Sequence, residues 1–369
     1  MSKQIDILLP SLAIGGAEKV MILLAEQFKA KGYQVRFIVR RLTEEGFQDQ
    51  VAASFEAISL QTDRVRYFPE RLQQFYQANS HPDIIIASLW PLTFLSAWVA
   101  KDHLPNTTVI CVEHGSLRHQ AAEKPLWYRL FLRFSLKKTL KWVHRVVAVS
   151  EGLKEELAQI TKYQGDKLIS VPNPIKLSNT NALSKEERAA FRQLKRQLKG
   201  KAFLAVGRLK KVKNFPLLLH AFQLVSREIE SDLVILGDGN ELEKLQRLAS
   251  ELQIAERVHF MGFTEQCNPY YQLADTFVLS SDSEGFGNVI VEALMNGCTV
   301  VSTDCPYGPR EILEDGKYGY LSPVGDAESL AQNMLQSIQQ PIDTDLAKSR
   351  GQQFAASHIA QHYIKEFEA

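Results

Sequence analysis

The 369-residue chain has only four cysteines, Cys111, Cys267, Cys298 and Cys305, and none stands in a Cys-x-x-Cys pair or at a zinc-like spacing to histidine. That argues against a disulfide framework and a structural zinc, and the cysteines read as reduced thiols of a cytosolic protein. Charge of one sign is equally scarce: 43 Lys and Arg face 42 Asp and Glu, a formal net charge of +1. Bulk charge therefore suggests neither a nucleic-acid binder nor an acidic tail. Long apolar runs are also missing. No stretch approaches the ~20 residues of a membrane span. Asp6 and Pro10 interrupt the first apolar run, which is too short for a secretion signal and reads as a strand. Asn106-Thr107-Thr108 fits a glycosylation sequon, but without a secretion route it carries little weight.

What the chain does have is alternation. Short apolar runs at Ile5–Leu9, Val35–Val39, Ile84–Ala87, Val109–Val112 and Val146–Val149 are separated by helical patterns. A second series follows at Phe203–Val206, Leu233–Leu236, Val258–Met261, Phe277–Leu279 and Thr299–Ser302. Runs of this kind suit buried strands of parallel sheets, and alternation with helices implies βαβ units. The length exceeds what one core usually supports. The second series begins after a polar, helix-forming stretch from Lys176 to Lys201, and Pro172-Asn173-Pro174 before it suits a stiff hinge. The expected fold is α/β, two Rossmann-like domains facing across a cleft, with ligands beyond the carboxyl ends of the strands. The expected divisions are residues 1–172, residues 173–348 and a helical tail, 349–369, that could pack back on the first domain.

The most informative segment is Ser283-Glu284-Gly285-Phe286-Gly287-Asn288-Val289-Ile290-Val291-Glu292. A glycine-rich loop running into a helix exposes backbone N–H groups to an anion. Eight residues separate Glu284 from Glu292, about 2.2 helical turns, which places Glu292 two turns into the helix. Val206-Gly207-Arg208-Leu209-Lys210-Lys211-Val212-Lys213-Asn214 has a strand end, a cationic loop and an N-cap residue, Asn214. Its cations suit a diphosphate, at about 1.5–3 kcal/mol for each charge-assisted hydrogen bond; a solvated basic turn is the alternative. Gly237-Asp238-Gly239 and Gly262-Phe263 follow strands, as tight βα turns or as backbone lining a base pocket. Gly15-Gly16 links the first strand to its helix, either for turn flexibility or for close approach of a ligand. Glu113-His114-Gly115-Ser116 puts His114 at a sheet edge, in a structural or a functional role.

Several templates fail. Gly285-x-Gly287 places Ile290 where a dinucleotide fingerprint needs a small residue, and no Walker A sequence occurs. The one Asp-x-Asp, Asp343-Thr344-Asp345, lies in a polar break after Pro341 and reads as a helix cap, so no obligatory divalent ion is expected. A basic series remains: Arg129, Arg133, Lys137, Lys141 and Arg145 fall at four-residue steps through Leu126–Arg145, with Lys138 beside them, no intervening acid, and Trp127, Leu130, Phe131 and Phe134 interleaved. A basic amphipathic helix with aromatics suits an anionic membrane surface; a core-packing helix with a basic outer face is the alternative.

Taken together, the chain resembles glycosyltransferase family 4, the retaining group with the GT-B fold. The likeness rests on Gly15-Gly16, Glu113-His114-Gly115, Val171-Pro172-Asn173, Gly207-Arg208 with Lys213, Gly237-Asp238-Gly239 and Glu284-x7-Glu292. It implies that Arg208 and Lys213 bind the donor diphosphate, assisted by amides around Gly287, Asn288 and Val289. Glu284 would hold donor-sugar hydroxyls and Glu292 the ribose. His114 would sit near the reacting centre, and Gly16 would let the first loop approach donor phosphate or acceptor. Gly237, Gly262 and Phe263 would complete the donor side. No cofactor is expected, since the nucleotide sugar is a substrate.

Tyr307-Gly308-Pro309-Arg310-Glu311 is similar to bacterial members that build surface polysaccharides or lipid-linked oligosaccharides. With the basic helix, this implies a lipid-linked saccharide acceptor at the cytoplasmic face of the cell membrane. Arg129, Arg133, Lys137 and Lys141 would face the membrane or acceptor. The expected donor is a UDP-linked hexose or N-acetylhexosamine, with GDP-sugars the alternative. The competing functions are a nucleotide-sugar epimerase on the same architecture and a non-catalytic partner in a membrane assembly.

Overall fold

A computed structural model of the chain describes residues 2–42, 46–177 and 183–368. The chain divides into two compact units, Met1–Ile175 with Ala355–Ala369, and Lys176–Phe354.

The first unit is built on seven parallel strands: β1 (Gln4–Leu9), β2 (Gln34–Val39), β3 (Glu56–Ser59), β4 (Ile84–Ser88), β5 (Thr108–Glu113), β6 (Arg145–Ala148) and β7 (Leu168–Ser170). Their order is β3-β2-β1-β4-β5-β6-β7. The second unit has six: β8 (Lys201–Val206), β9 (Ser231–Leu236), β10 (Val258–Phe260), β11 (Thr276–Leu279), β12 (Thr299–Thr303) and β13 (Tyr320–Ser322), ordered β10-β9-β8-β11-β12-β13. Each apolar run of the sequence is a strand, with ends shifted slightly. Central strands such as β1 and β4 are buried on both faces, which is why they read as continuous runs. Three strands were not foreseen: β3, β7 and β13. All three are sheet edges of three or four residues, and Glu56-Ala57-Ile58-Ser59 shows how little apolar signal an edge needs.

The strand order positions the functional loops. In the first unit β1 pairs with β2 on one side and β4 on the other. In the second, β8 pairs with β9 and β11. At each of these points consecutive βα connections diverge to opposite sides and open a crevice at the carboxyl edge. The second sheet is covered by the helices Phe215–Glu228 and Ala327–Gln339, which bury Phe203, Leu218, Phe222, Ile235, Val278 and Met334. Asn214 does cap the first of these, accepting from Leu217 N at 3.2 Å. Asp343 likewise caps Thr344–Gln352 through Asp345 N and Leu346 N.

Two boundaries differ from the sequence expectation. The first unit runs on to Ile175, which bridges Ala355, so the return to that unit begins at Ala355 rather than at 349. Helix Thr344–Gln352 stays with the second unit, where Gly351 sits against Met295 with no room for a side chain. Helix Ala356–Glu368 then belongs to the first unit. Tyr363 and Phe367 pack edge-on against Phe28 at 6.4 and 5.3 Å, and Arg145 Nε meets Glu366 Oε2 at 2.6 Å.

The basic series is not one face of one helix. The helix is Leu126–Trp142, and Arg145 opens β6 instead. Steps of four residues drift about 40° each around a helix of 3.6 residues per turn. Arg129 bends back to donate to the Ala121 and Ala122 carbonyls while staying exposed, Arg133 is half-buried, and Lys137 and Lys141 are exposed. Leu132, Leu136 and Leu140 form the core face. On the opposite face Trp127, Leu130, Phe131 and Phe134 are 43–67% exposed. Among the described residues no helix is long and apolar enough to cross a membrane.

Candidate active site

In the second unit, the loops after β8 and β11 flank the point where the strand order reverses, and backbone and side chains lace them together. Asp282 N donates to Val212 O at 2.9 Å, Ser280 Oγ to Lys213 O at 2.9 Å, and Asn214 Nδ2 to Asp282 Oδ1 at 2.7 Å. This lacing delivers Lys213 Nζ to Glu284 Oε1 at 2.5 Å, and Ser281 Oγ donates to the same oxygen at 2.6 Å. Arg208 is exposed on the same loop. A third loop closes the group: Glu284 N donates to Pro306 O at 2.7 Å and Tyr307 N to Glu284 O at 2.9 Å. The Tyr307-Gly308-Pro309-Arg310 segment thus supports the Glu284 loop. Gly308 (φ +100°) lies where a Cβ would fall 1.8 Å from Phe286 O.

Glu292 needs a correction. The helix is Asn288–Asn296, so half of the eight-residue interval is loop and Glu292 lies one turn in, not two. Its Oε2 accepts from the buried Tyr271 hydroxyl at 3.1 Å, which fixes the carboxylate. Gly287 caps this helix with φ +105° and offers no side-chain cap, the arrangement an anion at a helix N-terminus exploits. Gly237 is accounted for without a ligand: a Cβ there would lie 1.9 Å from Gly207 O. Gly262 has φ +73° and open space around it, and the neighbouring Phe263 is 52% exposed.

In the first unit, Gly16 opens helix Gly16–Ala30 at the carboxyl edge of β1 and is exposed. His114 follows β5. Both of its ring nitrogens are buried and neither has a hydrogen-bond partner among the described residues; burial pushes the imidazole down to about 4. A neutral, unpartnered ring at a sheet's carboxyl edge is a group still owed a hydrogen bond.

Two carboxylates to which the sequence reading gave no role hold this histidine's surroundings. Glu113 is buried, accepts from Thr93 Oγ1 at 2.7 Å and Trp90 N at 3.1 Å, and is pushed up to about 7 by its burial. Glu156, on helix Glu151–Thr161, is 2% exposed and accepts from Ser116 Oγ, Leu117 N and Arg118 N at 2.6, 2.9 and 3.2 Å. It clamps the segment directly after His114-Gly115. Its partners lie about forty positions away in sequence, so no local pattern reveals it. Among the described residues no group of three or more metal-ligating side chains occurs.

Paired doubly wound parallel sheets with polar loops at their switch points form the GT-B architecture. Comparison with known proteins gives the family. The model for "Glycosyltransferase Family 4" matches residues 14–179, and the model for "Glycosyl transferases group 1" matches 186–354. Together the two models span most of the chain, which carries a glycosyltransferase family 4 domain followed by a group 1 glycosyl transferase domain. A curated relative, N-acetylgalactosamine-N,N'-diacetylbacillosaminyl-diphospho-undecaprenol 4-alpha-N-acetylgalactosaminyltransferase of Campylobacter jejuni, is 33% identical over 222 residues, 58% of this chain and 58% of that protein. The match thus spans little more than half of that relative's length. Among solved structures, a glycosyltransferase from Rickettsia africae superposes with a TM-score of 0.82 at 17% identity, covering 100% of this chain and 98% of its own. Anabaena Alr3699/HepE in complex with UDP-glucose gives 0.81 at 19% identity and 98% coverage of each chain. Identities this low establish the fold alone.

Proposed function

We propose that the protein is a retaining, metal-independent glycosyltransferase that moves a hexose or N-acetylhexosamine from a UDP-sugar to a hydroxyl of a lipid-linked saccharide. The observation that carries this reading is the Lys213–Glu284 pair beside Arg208 at the second unit's switch point. In glycosyl transfer from a nucleotide sugar, negative charge grows on the departing diphosphate, and cations held in place beforehand stabilise that charge where it develops. Arg208 and Lys213 take this role, with amides around Gly287, Asn288 and Val289. Glu284 receives donor-sugar hydroxyls, Glu292 the ribose, and Gly262 and Phe263 the base. His114, neutral and unpartnered, offers a hydrogen bond to the sugar near the reacting carbon. The acceptor oxygen bonds to the anomeric carbon on the face that the phosphate leaves, and its proton passes to the leaving diphosphate.

The UDP-sugar assignment draws on the UDP-glucose bound by the Anabaena neighbour, and the acceptor class on the diphospho-undecaprenol substrate in the Campylobacter relative's name. The exposed aromatic face of Leu126–Trp142, flanked by Lys137 and Lys141, suits contact with an anionic membrane surface. Replacing Phe131 and Phe134 with serine should weaken binding to anionic vesicles without loss of donor affinity; unchanged vesicle binding would remove this part of the proposal.

The test of the whole is a panel of nucleotide sugars incubated with membrane extract, products being read by mass spectrometry. A lipid-linked saccharide enlarged by one hexose or N-acetylhexosamine is expected. Isomerised donor without acceptor would instead mark an epimerase, and absence of donor binding in calorimetry a non-catalytic partner.

A further inference from the structure

The first unit holds a second basic feature, at the opposite edge of its sheet. Lys137 and Lys141 line one wall of a cavity of about 490 Å³, and Lys162 and Lys167 line another. Leu140 and the Tyr163 ring supply apolar wall. The cavity lies where helices Leu126–Trp142 and Glu151–Thr161 end and β6 and β7 begin, at the amino ends of the strands, whereas His114 and Gly16 stand at the carboxyl ends.

Its electrostatics are one-sided. No carboxylate lines it; Asp166 is adjacent in sequence but is not part of the wall. Among the described residues Lys137, Lys141 and Lys162 have no ion-pair partner. Lys167 Nζ donates to Val143 O at 2.8 Å, so the helix-end carbonyl that would repel an anion is covered by a cation. His144 nearby has a depressed pKa, from burial first and then from Lys167 and Arg145, a sign of the local positive field. Like charges one helical turn apart, as at Lys137 and Lys141, destabilise a helix, and an anion between them reverses that sign. The volume is much larger than a bare oxyanion needs, and the apolar wall suits an organic substituent.

We infer that this cavity binds a phosphate ester, the phosphate held by Lys137, Lys141 and Lys162 and its organic part lying against Leu140 and Tyr163. The helix that supplies Lys137 and Lys141 also carries the exposed aromatic face, so a membrane lipid headgroup is the favoured source. That source rests on the membrane reading above; the pocket itself does not.

The probes are sn-glycerol 3-phosphate, titrated by calorimetry, and phosphatidic acid in phosphatidylcholine vesicles, measured by co-sedimentation. Lys162 is exposed and lies off the membrane-facing helix, so Lys162→Glu tests the pocket without touching that face. Lys31→Glu, an equal change of charge elsewhere on the same unit, is the control. Binding of either probe should fall about tenfold or more in Lys162→Glu, the scale of one lost charge-assisted hydrogen bond, and should hold in Lys31→Glu. Loss of vesicle binding in Lys162→Glu assigns a lipid source; loss confined to glycerol 3-phosphate assigns a soluble ester; both support the pocket. Equal losses in the two variants, or no effect of Lys162→Glu on either probe, overturn it. Phe131→Ser with Phe134→Ser separates the two readings: failure of the membrane reading leaves vesicle binding intact there, whatever Lys162→Glu does.

Discussion

The two units treat their polar groups in opposite ways. In the second, Lys213 and Glu284 hold each other at 2.5 Å, Ser281 holds Glu284, and Tyr271 holds Glu292. In the first, His114 has both ring nitrogens buried and unpartnered, although the segment after it is clamped by Glu156. The second unit has its charges set before any ligand arrives, which is how a low-dielectric site avoids reorganising during reaction. The first keeps a polar group in reserve at the end of a firmly held strand. One unit joins its site charges to each other, and the other leaves a buried imidazole unpartnered at the edge of its sheet.

Four tests would break or sharpen that contrast. The largest effect is expected from the second unit: Lys213→Ala and Arg208→Ala should each lower turnover by roughly 10²–10³-fold, with the fold intact by circular dichroism. Near-normal turnover in both would mean that leaving-group charge is stabilised elsewhere.

Next comes the pH response of the first unit. The Glu113 carboxyl has a folded pKa of about 7 against 4.5 for the free group, so between those values the unfolded chain releases a proton that the folded chain keeps. Stability therefore falls as pH rises through this window, by about 3 kcal/mol in all, and the loss is complete above it. For His114 the window runs from 6.5 down to about 4, and stability falls as pH falls. Glu113→Gln should thus gain over the parent chain above neutrality and not in acid, and His114→Gln the reverse. Urea midpoints across pH measure both, and parallel curves for the two variants would contradict the assignment.

Glu156→Gln should be smaller, costing about 1–3 kcal/mol: the charge is lost and an NH2 replaces one of the two accepting oxygens, so either the Ser116 Oγ bond reverses or the Leu117 and Arg118 N–H groups face a donor. Turnover should drop with it, because the clamped Ser116–Arg118 segment directly follows His114. Full stability would show that Ser116 to Arg118 are held by other means. Smallest is Arg145→Ala. Its pair with Glu366 is about a quarter exposed on each side, and solvent screening limits the loss to about 1 kcal/mol or less.

The sheets were largely legible in the sequence because central strands of parallel sheets must be apolar on both faces. Edge strands escape that demand, and β3, β7 and β13 were missed for that reason. The glycine-rich loop was legible as a helix approach, but its length was not: only the backbone shows that four residues are spent before Asn288 and that Glu292 lies one turn in. The basic series ran past the end of its helix: Arg145 opens β6 and meets Glu366, a partner 221 positions on that no local period reveals. Glu156 was out of reach because a buried carboxylate is recognised by its donors, and those come from another element of the fold. The Asp6 that interrupts the first strand is a similar case: it meets Arg36 and Tyr76, 30 and 70 positions on.

The return of helix Ala356–Glu368 to the first unit bears on the order in which the protein is made. Phe28 and Tyr33 leave the ribosome more than 300 residues before Tyr363 and Phe367, which pack against them. The second unit is contiguous and can close while translation continues. Through that interval the first unit keeps the Phe28 surface bare, so the half begun first is the half finished last.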